Sequence, residues 1–208
     1  MKISTTKILA TLAIILSSAL AFAGQVMVKG KTLDKYTGKP VGVNVEFKDP
    51  NGKKIKVKSN TLTGEYQQLL EGGKNYEVTV FESEVYRQSF DLNTQNSSEA
   101  YSEQMNDMQV IIMNDGVELE RIDGFSGSTQ LTSDANDALK GLNKMMRFNR
   151  GLKLIIAAAD DAKLNAIKTV TMKNKRLTDR ITYKVDASLS NEIAFLVDTN
   201  ENLFEDGK

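Results

Sequence analysis

Residues Gly124–Val185 read GFSGSTQLTSDANDALKGLNKMMRFNRGLKLIIAAADDAKLNAIKTVTMKNKRLTDRITYKV, a helix, an apolar strand, a second helix and a second strand with their punctuation in place. Thr132-Ser133 supplies an N-cap hydroxyl, and Asp134 and Asp137 fall in the first turn, where the helix dipole favours acids. Ala135, Ala138, Leu139, Leu142, Met145, Met146 and Asn149 then recur at i, i+3, i+4 and i+7, which predicts one buried stripe ended by Gly151. At that spacing the methionines are expected to be gap-filling core residues. LKLIIAAA (152–159) is apolar without alternation after Leu154, as suits a central strand covered by helices. Asp160-Asp161 caps a second helix with Leu164, Ile167 and Val170 or Thr171 on one face and Lys163, Lys168, Lys173 and Lys175 on a solvated one. RITYKV and NEIAFLVD follow as strands. With the strand VELERI ahead of it, the second half is expected to be an α+β domain of order βαβαββ, both helices on one sheet, over residues 115–198.

The first half reads differently. From Val26 to Leu92 short alternating strands are divided by turn residues, which predicts an all-β sandwich over residues 24–93. Val26, Val28, Lys31 and Leu33 mark successive faces of the first strand, and Val41, Val43, Val45 and Phe47 share one face of the second. Asp49-Pro50-Asn51-Gly52 puts proline at a fixed-φ turn position and Asn-Gly where positive φ is tolerated, the mark of a hairpin. Tyr66 and Leu69, then Tyr76, Val78 and Val80, then Val85, Phe90 and Leu92 continue the series. Asn93–Asn106 has no apolar period and reads as a connector; with the strand DMQVIIM it fills residues 94–114, and since DMQVIIM and VELERI could finish the sandwich or begin the second domain, the boundary is set near Asp115.

At the amino terminus Lys2 and Lys7 precede an apolar run to Leu20 and then Ala21-Phe22-Ala23, so residues 1–23 are expected to be a secretory signal peptide cut after Ala23. The run is shorter than the roughly 20 residues a spanning helix needs, and no transmembrane segment is expected in the mature chain. The expected location is periplasmic or secreted. Cysteine is absent, which excludes disulfides and a lipidated thiol at Gly24. Histidine is absent too, removing the commonest general base and every His-containing zinc site. Lysine plus arginine equal aspartate plus glutamate at 27 each, so no net field points to nucleic acid. The expectation is a non-enzyme with no cofactor and no metal. Asp198-Thr199-Asn200-Glu201-Asn202 begins like a calcium loop, but Leu203 stands at the glycine position in the acidic tail, residues 199–208. No phosphate loop, aromatic platform or basic stripe is expected.

Two resemblances add to this. VKGKTLDKYTGKPVGVNVEF, DPNGKK and TGEYQQLLEGGKNYEVTV, with Gly64, Tyr66, Leu70, Gly73 and Tyr76 in register, resemble the carboxypeptidase-regulatory-like, Cna-B-type sandwich, which implies a non-catalytic module of exported bacterial proteins. Phe125, Gly127, Ser128, Leu131, Ala135, Leu139, Leu142, Asn149, Leu152 and Asp160, then Ala166-Ile167, Leu177–Lys184 and Asn191–Val197, resemble an OmpA-like peptidoglycan-associated domain. Such domains grip a peptidoglycan carboxylate with an aspartate after the second strand and an arginine opening the next helix. The resemblance places Asp160 at the aspartate, but Ala158 and Ala159 stand where His and Thr are usual, and the loop with the arginine motif is missing. Lys163 then falls at the arginine position; a rival alignment uses Asn174, Leu177 and Arg180. Lysine is a point charge without the planar fork that engages a carboxylate twice. The expected activity is therefore contact with envelope or surface proteins. Peptidoglycan binding through Asp160, Lys163 and Arg180 is the alternative.

Overall fold

The structure, a computed structural model, describes residues 24–96, 99–173 and 178–200. The expected signal peptide, Asn174, Leu177 and residues 201–208, including most of the acidic tail, lie outside the described residues.

Strand β1 (Gln25–Asp34) organises the first half. It pairs antiparallel with β4 (Glu65–Glu71) and parallel with β7 (Tyr101–Met105) and then β8 (Met108–Val110). A second sheet runs β3 (Lys54–Lys58), β2 (Asn44–Lys48), β5 (Asn75–Glu82), β6 (Val85–Asn93). Val26 and Val28 of one sheet and Val43, Val45, Phe47, Val78 and Val80 of the other are fully buried in one shared core, so the two sheets form a sandwich. Phe47 and Tyr66 meet across it with ring centroids 6.2 Å apart. The Asp49 carboxylate accepts from the Asn51 and Lys53 amides at 2.9 and 2.8 Å, and Gly52 takes φ +85°, closing the β2–β3 hairpin.

Three readings of the sequence are corrected here. β1 does not change phase: Thr32 and Asp34, not Lys31 and Leu33, continue the inward row of Val26 and Val28. Their polar atoms are satisfied, Thr32 Oγ1 by Val41 O and Ser59 Oγ, and Asp34 Oδ1 by the Tyr36 and Thr37 amides, so a polar face can be buried. On β4 it is Leu70 that faces inward beside Tyr66, and Leu69 is exposed. The stretch read as a connector contains β7, an edge strand whose alternate residues are exposed; its pairing with β1 comes from backbone groups and leaves no apolar signal.

After β8 the chain crosses into the second half. Ile112 bridges Val85, the Tyr86 amide donates to Ile111 O at 2.8 Å and the Met113 amide to Glu84 O at 2.8 Å, so the crossing segment adds itself to the β6 edge. Ile111 and Met113 point into the second core. That core lies against a four-stranded sheet of order β11 (Ile181–Val185), β10 (Leu152–Ala158), β12 (Glu192–Asn200), β9 (Glu118–Asp123). β11 is parallel to β10, and the other pairs are antiparallel.

Helix α1 (Ser133–Phe148) is capped by Thr132, whose side chain accepts from the Ala135 amide, and buries Ala135, Leu139, Leu142 and Met146. Helix α2 (Asp161–Thr171) buries Leu164 and Ile167 against the same core as Leu152, Leu154, Ile156 and Ala158 of β10. The opposite face of β10 is covered at Ala157 by Leu189 of a short 3-10 helix, Ala187–Leu189. No helix among the described residues is long and apolar enough to cross a membrane.

Candidate functional site

Asp160 stands where β10 ends, with φ −153° and ψ 170°, and its Oδ1 accepts from the Lys163 amide at 2.8 Å. It is the N-cap of α2, with its side chain about half exposed. Lys163, expected on the solvated face of α2, is buried. Its ammonium donates to Ser190 O at 2.6 Å and Asn191 Oδ1 at 3.2 Å, lies 3.9 Å from Asp160 Oδ2, and sits 5.5 Å from the Phe125 ring centroid. The reason lies in the β11–β12 connection, which folds over the first turn of α2. Ser190 there takes φ +48°, and the Asn191 carbonyl accepts from the Gly124 and Phe125 amides. Gly124 has to be glycine, because a Cβ would lie 2.4 Å from Ile193 Cγ1.

Arg180 is at the other end of the sheet. Its guanidinium donates to Leu152 O at 2.6 Å, Asn149 O at 2.8 Å and Met146 O at 3.2 Å, closing the carboxyl end of α1 and the entry to β10. Burial lowers its pKa from the ordinary arginine value. Leu154 pairs with Ile181, so Arg180 is level with the start of β10 while Asp160 follows its end. At about 3.3 Å per strand residue they are separated by roughly 20 Å. The fold thus joins Asp160 to Lys163 and keeps Arg180 away from both.

A second locus forms where the two halves meet. Asn149 is buried, and its amide treats β6 as a neighbouring strand would: Oδ1 accepts from the Arg87 amide at 2.8 Å and Nδ2 donates to Arg87 O at 3.5 Å. This holds the Arg87 guanidinium between two rings, 5.0 Å from the Phe81 centroid and 5.5 Å from that of Phe148. Arg87 Nε is buried and has no hydrogen-bond partner among the described residues. Beside it opens a groove of about 810 Å³ lined by Arg87, Lys140, Lys144, Arg147, Phe148 and Arg150.

The nearby acids are already matched: Glu46 with Lys54 and Lys56, Glu77 with Lys48, Glu82 with Lys58, and Asp137 with Lys140. Lys144, Arg147, Arg150 and Arg87 have no acid partner among the described residues. The expectation of no basic stripe is therefore corrected. Lys140, Lys144 and Arg147 recur at i, i+4 and i+7, a signal the balanced net charge conceals, while Arg87 arrives from a strand distant in sequence.

No family model matches the chain, and no curated protein matches it. Among solved structures it is similar to a candidate carbohydrate-binding protein from Bacteroides uniformis ATCC 8492, at 18% identity and TM-score 0.33, covering 49% of this chain and 48% of that one. A DUF3823 family protein from Parabacteroides merdae ATCC 43184 gives 15% identity and TM-score 0.34, covering 51% of this chain and 54% of that one. Catechol 1,2-dioxygenase from Acinetobacter sp. ADP1 gives 10% identity and TM-score 0.36, with 54% and 59% covered. The chain spans about half the length of these three structures. Likeness at this level places it in no family.

Proposed function

We propose that the protein is an exported, non-catalytic envelope protein that acts by contact with other proteins or with the cell envelope, its first 23 residues serving as the signal peptide. On this reading the sandwich is a regulatory-like module, and the second half is a degenerate OmpA-like domain. The element order β9-α1-β10-α2-β11-β12 supports that comparison. The observation that carries the reading is how the three residues of the peptidoglycan alternative are used. Arg180 is engaged with three main-chain carbonyls, Lys163 with Ser190 O, and Asp160 with the α2 amide. A carboxylate ligand would have to displace Ser190 O from Lys163, and the planar fork of Arg180 lies about a strand's length away.

The test is co-sedimentation of the purified protein with purified peptidoglycan, alongside Asp160→Ala. The expected result is sedimentation no greater than without peptidoglycan. Binding that Asp160→Ala abolishes would replace this reading with the cell-wall one.

A further inference from the structure

We propose that the groove between α1 and β6 is a docking site for an acidic, partly apolar polypeptide segment in extended form. This rests on the contact-module reading above and names the chemistry of the partner. Three observations converge. Lys140, Lys144 and Arg147 are exposed on one stripe of α1, and Arg87 and Arg150 complete a cationic rim whose members other than Lys140 lack acid partners among the described residues. A local surplus of this kind in a chain of zero net charge marks complementarity to an anion. The Arg87 Nε–H is buried and has no hydrogen-bond partner among the described residues, a donor aimed at the groove its side chain lines. Phe148, half exposed, packs against the Arg87 guanidinium and lines the same groove, placing an apolar surface beside the cations.

The spacing favours a peptide. Lys140 to Arg147 covers roughly 10 Å of helix at about 1.5 Å per residue. An extended chain with carboxylates at every second residue repeats each face about every 7 Å, against axial steps of about 6 and 4.5 Å between the cations, a difference the long, exposed lysine and arginine side chains span. Phe148 in the groove complements an apolar side chain among those carboxylates; the C–H faces of sugar rings also pack on aromatic rings, so an acidic polysaccharide is the competing ligand in the test. Asn149 already occupies the β6 backbone at Arg87, so the contact is made through side chains and not by adding a strand.

The test is fluorescence anisotropy of the purified protein with a labelled peptide carrying glutamate at every second position and one leucine. Polygalacturonate serves as the anionic polysaccharide. Binding is expected to be saturable, weakened by salt, and weakened at least about tenfold by the paired substitution Lys144→Glu with Arg147→Glu. Both sites are exposed, so unchanged circular dichroism is expected, with Tm lower by no more than a few degrees because Arg147 stands in the last turn of α1, where the helix dipole favours a cation. Phe148→Ala is expected to weaken the leucine-bearing peptide more than one lacking leucine. No peptide binding, or equal binding by the charge-reversed protein, overturns the groove assignment. Tighter, groove-dependent binding of polygalacturonate overturns the peptide assignment. The assay contains no envelope material, so its failure is separate from that of the sedimentation experiment.

Discussion

Replacing Arg180 by methionine is expected to destabilise the protein by about 3 kcal/mol. The guanidinium makes four hydrogen bonds of 2.6 to 3.2 Å to three carbonyls, two of them to Leu152 O and one each to Asn149 O and Met146 O. Hydrogen bonds from charged donors contribute about 1.5–3 kcal/mol each, and the longest of these counts for less. Against this stand about 2 kcal/mol of arginine side-chain entropy, partial desolvation of the charge, and water reaching some of the freed carbonyls. A net loss of about 3 kcal/mol remains, which for a chain of this size lowers Tm by about 6–12 °C. Urea titration followed by circular dichroism measures it. Lysine at this position is expected to recover less than half of the loss, because a single ammonium point charge lacks the rigid planar fork with which the guanidinium reaches three carbonyls at once. A change below about 0.5 kcal/mol for Arg180→Met would refute the assignment of Arg180 to the fold and return it to the pool of ligand-binding residues.

Two further outcomes follow from the same structure. Lys163→Met keeps the aliphatic stem but leaves Ser190 O and Asn191 Oδ1 without their donor, with an expected cost of about 2 kcal/mol by urea titration; an unchanged midpoint would show that the ammonium does not hold the β11–β12 connection. Burial pushes the Tyr66 and Tyr86 hydroxyls up to about 12, above the unfolded value near 10. Their contribution is therefore fully present below pH 10 and lost as pH rises through 12, about 3 kcal/mol for each at the limit. Unfolding midpoints at pH 9 and above are expected to fall less steeply in Tyr86→Phe than in the parent, and parallel curves would rule the linkage out.

Local chemistry made much of the architecture legible. The Thr132 cap, the 135–139–142–146 stripe of α1 and the unbroken apolar run of β10 are short-range patterns, and each is found where its period puts it. The Asp49–Gly52 hairpin and the Val43–Val45–Phe47 face of the sandwich are of the same kind. The misses share a cause. β7 is made by pairing, not by periodicity; Leu70 replaces Leu69 because β4 takes its phase from Tyr66; and Thr32 and Asp34 are buried because partners elsewhere satisfy them. Lys163 has the sequence context of a solvated helix lysine and is buried by a loop 27 residues away.

The amino-acid sequence by itself determined most of the helices and strands, though not the edge strand β7, where the helices are capped, and which functional classes the absence of histidine and cysteine removes. Only the tertiary structure decided what the charged side chains do. Arg180 and Lys163 are bound to main-chain carbonyls, and Arg87 is set against the basic stripe of α1 by an amide 62 residues away. Periodicity acts over a few residues, whereas a charge answers to whichever carbonyls, rings and other charges the folded chain brings within several ångströms of it.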